Sequence, residues 1–136
     1  MPCRKTIAGP MLDAEFDLQR KMVTSSLAGE YQTLSVDSWT GPQGNPILGA
    51  TVGPHILLAT DTSGVPHTAA YVKGWTMDAV RLAQTEMNVK ICSITGDNAS
   101  NMQLSRELLD GPDFFVYGCQ AHKLHLAVRY LCNDTK

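Results

Sequence analysis

Apolar positions recur along this chain with two different periods, and the changes of period divide it into elements. From Pro10 to about Ala28, Leu12, Phe16, Val23 and Leu27 fall at helical spacing, which predicts a helix over 10–28 with that stripe facing a core. Pro10 suits the first helical position, Asp13, Glu15 and Asp17 crowd the first turns, Arg20 and Lys21 follow, and Gly29 is a stop. Residues 1–9 read as a loose leader. From Thr33 to Asp37 the period shortens to two, which predicts a strand. Ile47 to Val52 and His55 to Thr60 give two more strands, separated by Gly41–Pro46, by Gly53-Pro54 and by Asp61–Pro66, all dense in turn formers. Three strands joined so closely form an antiparallel meander. Thr68 to Met87 returns to the helical period, with Val72, Trp75, Ala79 and Leu82 as a buried stripe. Val89 to Thr95 is a nearly continuous apolar run, as in a central strand covered on both faces. Asn98 or Ser100 can cap a helix reaching Leu109, Gly111-Pro112 ends it, and a fifth strand from Phe114 to Tyr117 precedes a last helix from about His122 to Leu131. A meander followed by strand–helix crossovers predicts an α/β fold with a mixed five-stranded sheet and helices on both faces.

At 136 residues the chain suits one domain, 10–136, with its core in 33–132, and 43% hydrophobic against 18% charged residues is ordinary for a globular protein. No apolar run approaches the roughly 18 residues that span a bilayer, so no membrane partner is expected. Met1-Pro2-Cys3-Arg4-Lys5 does not lead into a secretion signal. Cys3, Cys92, Cys119 and Cys132 are too scattered for a disulfide framework and suit a reducing compartment. A net charge of −2 with no dense Lys/Arg run argues against nucleic-acid binding by bulk electrostatics, so affinity for DNA would have to come from a metal-assisted site or from other segments.

Two acids occupy telling places. Asp37 ends the first predicted strand, before Ser38-Trp39, and Asp97 ends the fourth, before a helix. If those strands are neighbours, the carboxylates converge at one rim of the sheet. Two ionised carboxylates about 4 Å apart repel by roughly 4 kcal/mol at an effective dielectric near 20, so they need a proton or a divalent cation between them. The plainer role for either is a turn or helix cap.

Asp37-Ser38-Trp39-Thr40, then Ile94-Thr95-Gly96-Asp97-Asn98-Ala99-Ser100-Asn101-Met102, then Gly118-Cys119-Gln120-Ala121-His122-Lys123-Leu124-His125-Leu126 resemble the three ordered landmarks of hAT-family DNA transposases and of the uncharacterised domain associated with them. The resemblance covers roughly residues 4–132. It implies an RNase H-like core, Asp37 and Asp97 as the first two acids of an Asp-Asp-Glu triad holding Mg²⁺ or Mn²⁺, and metal-dependent cleavage and transfer of DNA strands in the nucleus. It implies a homo-oligomer in the full-length protein. Cys119 and His122 match the family's C-x-x-H pair near the active site, with Trp39 and Asn98 as neighbours of the acids or the nucleic acid. Gly96 departs from the family, in which the Asp often follows Thr directly. The third acid, a Glu, lies far downstream in the family, beyond an inserted domain, so the chain reads as an incomplete core. The alternative is an inactive, domesticated remnant serving as a protein- or DNA-interaction module.

Within the chain, Asp61, Asp78 and Glu86 are the stand-ins for a third acid, though a solvated role suits each of them. Cys119, His122, His125 and Cys132 offer zinc-type ligands at a spacing that no established finger uses. Trp39 could stack on a base or pack on the sheet. Gly41-Pro42-Gln43-Gly44 lacks the Lys-Ser/Thr of a phosphate loop, and no local motif supports a nucleophilic triad.

Overall fold

The computed structural model describes residues 4–133. Met1, Pro2 and Cys3, within the expected leader, lie outside them. Helical geometry begins before Pro10: α1 (Arg4–Thr6) runs through a wide turn at Ile7–Met11, kinked at Gly9, into α2 (Leu12–Leu27). There follow β1 (Tyr31–Thr40), β2 (Pro46–Val52), β3 (His55–Asp61), α3 (Ala69–Met87), β4 (Lys90–Gly96), α4 (Ser100–Leu109), β5 (Phe115–Gly118) and α5 (Gln120–Asn133). The fold is α/β, with one mixed five-stranded sheet in the order β3-β2-β1-β4-β5. The pairs β1–β2 and β2–β3 are antiparallel, and β1–β4 and β4–β5 are parallel. The predicted meander and crossovers are therefore present. Among the described residues no helix is long and apolar enough to cross a membrane.

The two faces of the sheet differ sharply. Leu34 and Val36 of β1, Leu48, Ala50 and Val52 of β2, and Ile94 of β4 are buried against α3 and α4, whose Val72, Trp75, Ala79, Val80, Ala83, Met102 and Leu109 complete the core. The period of two then sends Thr33, Ser35, Asp37 and Trp39 to the other face, beside Ser93 and Thr95 of β4. That face is small and polar, and Thr33 and Ser93 join across it by a hydroxyl hydrogen bond of 2.6 Å.

Two expectations need correction and a third is qualified. Leu12 and Phe16 are 59% and 60% exposed, and only Val23 and Leu27 of the predicted stripe reach the core. The C-terminal half of α2 is the part held against α3, where Arg20 pairs with Glu86. Helices lie on both faces but unequally: α3 and α4 pack on one, whereas α5 borders the other with Leu124, Leu126, Val128, Tyr130 and Leu131 exposed. The apolar run in β4 has a different cause from the one expected. The register with β1 shifts between Gln32 and Thr33, so Ile91 and Ile94 both turn to the core while Cys92 is exposed.

Local chemistry sets the ends of α3. The Thr68 hydroxyl accepts the Tyr71 N–H at its start, and Asn88 adopts left-handed geometry (φ 52°) at its end. Inside it, Trp75 Nε1–H donates to Thr60 Oγ1 at 3.0 Å, which lets a polar atom enter the core satisfied.

Candidate functional site

Val36 and Gly96 are register partners on the neighbouring parallel strands β1 and β4, and Asp37 and Asp97 are the next residue on each. Neighbouring strands lie about 4.8 Å apart. The two acids thus stand side by side where β4 ends, although Asp37 does not end its strand as expected, since β1 stays paired with β2 as far as Thr40; both line one groove of about 690 Å³ over the polar face. Its floor includes Ser35, Gly49, Thr51 and Thr95, and its far wall is Cys119 with the first turns of α5, which carry His122 and His125. Trp39, 45% exposed, and Ile56 flank it. The edge of the Trp39 six-membered ring fills the space above Gly49: a Cβ there would lie 2.5 and 2.6 Å from Cζ3 and Cη2. Glycine is what lets the indole lie over β2.

Each carboxylate spends one oxygen locally. Asp37 Oδ1 accepts the Ser38 N–H at 2.9 Å, and Asp97 Oδ1 accepts the Ala99 N–H at 3.0 Å. Asp97 therefore performs the plainer turn role as well, and Ala99, rather than Asn98 or Ser100, is the N-cap residue of α4, with no side-chain cap bond. The remaining oxygen of each acid is open to the groove or solvent. Thr95 Oγ1, buried in the groove floor, has no hydrogen-bond partner among the described residues.

The rest of the Asp97–Met102 block is a fastening. Asn98 turns away from the groove: its Nδ2 donates to Cys119 O at 3.1 Å and its Oδ1 accepts from Arg106 Nη2 at 3.2 Å. Arg106 Nη1 also donates to Gly96 O at 3.2 Å and to Asp97 O. Asn101 Nδ2 donates to His67 O at 3.3 Å, tying α4 to the loop before α3, and Met102 is buried. Cys119 N–H donates to Gly96 O at 2.7 Å. Close approach explains the two glycines. A Cβ on Gly96 would meet Met102 Cε and Val36 O, both at 3.1 Å, and one on Gly118 would strike Asn98 Oδ1.

Of the residues singled out in the sequence, Asp37, Asp97, Trp39, Cys119 and His122 gather at the groove, and Asn98 does not. His125, named in the sequence only among the zinc-type ligands, also lines it. Among the described residues no three His, Cys, Asp or Glu side chains cluster closely enough to hold a metal, so the four zinc-type ligands stay apart. Ten positions separate His122 from Cys132 along α5, or about 15 Å of helix. The stand-in acids are engaged elsewhere: Asp61 accepts from Asn45 and Ser63, Asp78 pairs with Arg81, and Glu86 with Arg20. None of the three lines the groove. Arg106 is the residue that sequence reasoning missed, because its importance lies in three oxygens that the fold alone brings together. The chain matches no family model and no curated protein sequence.

Proposed function

We propose that this chain is an RNase H-like core of the hAT-transposase kind, related to metal-dependent cleavage and transfer of DNA strands, with Asp37 and Asp97 holding Mg²⁺ or Mn²⁺. The observation that carries the reading is the pair of carboxylates at one register on adjacent parallel strands, opening into one groove. The strand order β3-β2-β1-β4-β5 supports it, since an RNase H-like sheet requires the first and fourth strands to be neighbours.

The donor set fits a hard cation of this kind. Mg²⁺ keeps several waters and is commonly held by one or two carboxylates plus substrate phosphates, so a closed protein cage is not needed. Asp37 and Asp97, with one oxygen each on a backbone N–H, suit that arrangement and would relieve their mutual repulsion through it. Bound there, the cation would activate a water or a 3′-hydroxyl and stabilise the leaving oxygen of a phosphodiester. The protein's share is orientation. Arg106 and Asn98 fix the turn that carries Asp97, and Ser38 N–H fixes the Asp37 carboxylate. His122, on the opposite wall, is the donor for a phosphate oxygen in the groove.

A second reading, an inactive remnant that serves as an interaction module, is favoured by the lack of a three-ligand cluster among the described residues and by the net charge of −2. Calorimetric titration of Mg²⁺ and Mn²⁺ separates the two. The wild type is expected to bind, and Asp97→Asn to bind at least tenfold more weakly. Absence of binding, or equal binding by both proteins, eliminates the metal site and leaves the interaction module.

A further inference from the structure

The open face of the sheet carries hydroxyl side chains in rows, and neighbouring rows differ in what they bond. Thr33 and Ser93 are register partners on β1 and β4, and their hydroxyls close on each other at 2.6 Å. One row nearer the acids, Ser35 and Thr95 are register partners in the same way, with Thr51 of β2 opposite Ser35. Thr95 forms no such bond: its Oγ1 is buried and has no hydrogen-bond partner among the described residues. Asp37 and Asp97 lie two positions further along the same strands, and Ser35, Thr51, Thr95 and both acids line the one groove. A buried hydroxyl without a partner costs free energy, and a valine would keep the same shape and the same branch at Cβ without that cost. The hydroxyl is therefore explained by what enters the groove and not by the fold.

We infer that Thr95 is a positioning residue of the cation site, its hydroxyl holding a water of the hydration shell of the Mg²⁺ or Mn²⁺ bound by Asp37 and Asp97. The inference rests on that metal-site reading and adds a third protein group to it. A hard cation held by two carboxylates keeps several waters. Each such water donates its hydrogens outward, and the Thr95 oxygen at the foot of the acids is an acceptor for one of them. Alternate residues of a strand are spaced about 6.6 Å, against about 2.1 Å for a Mg²⁺–oxygen bond, so the spacing suits contact through a water better than direct ligation. Partners of this outer kind orient what the cation binds and set its affinity.

The test is Mn²⁺ binding by the 136-residue chain, read from the electron paramagnetic resonance signal of the free ion, with three variants. Thr95→Val should raise the dissociation constant about tenfold, whereas Thr95→Ser, which keeps the hydroxyl, should stay within about twofold of the wild type. In metal-free buffer Thr95→Val should unfold at the same temperature as the wild type or higher, because the fold does not use the hydroxyl. Thr33→Val, one row lower, should show the reverse: a less stable fold through loss of the Ser93 bond, and unchanged Mn²⁺ affinity. A wild type that binds Mn²⁺ no better than Thr95→Val overturns the inference and leaves the metal site standing. Equal weakening in Thr95→Ser or in Thr33→Val overturns it too, as does a metal-free Thr95→Val that is less stable than the wild type. A wild type that binds no Mn²⁺ removes the metal site itself, and the role of Thr95 with it.

Discussion

Arg106 is the side chain on which most of the rim depends. Its guanidinium serves two backbone carbonyls and the Asn98 amide oxygen at once, and a lysine, with one compact ammonium, cannot span them. Arg106→Met is expected to cost roughly 1–3 kcal/mol in chemical denaturation, from the loss of its charge-assisted hydrogen bonds to part-buried acceptors. Gly118→Ala should be destabilising for the same reason, because its methyl displaces Asn98 from the network. At the opposite corner of the sheet, Asp61 is held below the usual carboxylate range by the Ser63 hydroxyl, the Ser63 N–H and the Asn45 amide. A lowered pKa in the fold means that the contribution of Asp61 to stability is present above the ordinary aspartate range and is lost as pH falls through the folded value. An NMR titration should find its midpoint below that of a free aspartate, and Asn45→Ala should move it upward. An unmoved midpoint would contradict the assigned cause.

Among the elements, α2 separates what a pattern predicts from what packing uses. Its stripe is correct as a helix signal, yet only its last turns meet the core. Phe16→Ala should therefore change stability by less than about 0.5 kcal/mol at concentrations where the chain is monomeric, whereas Leu27→Ala should cost about 2–5 kcal/mol. Thermal or urea unfolding of the two variants distinguishes them directly. The order of the strands and the ends of α3 were legible because turn formers, caps and periods are local signals. Asp97 was legible as the end of its strand, whereas Asp37 lies inside β1, which runs on to Thr40 because it stays paired with β2; the convergence of the two followed once β1 and β4 were taken as neighbours. The bulge that sends Ile91 and Ile94 to one side was not legible, since it arises from pairing with β1. Nor was the bonding of Arg106, whose acceptors lie eight to ten positions away on another element. For Asn98 the motif was visible but its direction was not: sequence alone could not say that its amide points toward β5.

For the whole molecule, stability is concentrated in the layer between the sheet and the α3–α4 pair. Amide hydrogen exchange should rank β1, β2 and β4 slowest, with opening energies near that of global unfolding, and α5 fastest. Equal protection in α5 and β4 in dilute, monomeric protein would refute that layering. The outer strands carry a separate consequence. The sheet is not closed, so β3 presents one row of backbone N–H and C=O groups to solvent along seven residues, with Ile56 74% exposed beside it. Such a rim is a template for any extended segment that can match its spacing, and charged or proline residues usually blunt it. Here only Asp61 at the far end does so. On prolonged warming, strand addition along β3 is therefore the route by which this chain would grow into aggregates, and a lysine in place of Ile56 is the single change that should slow it.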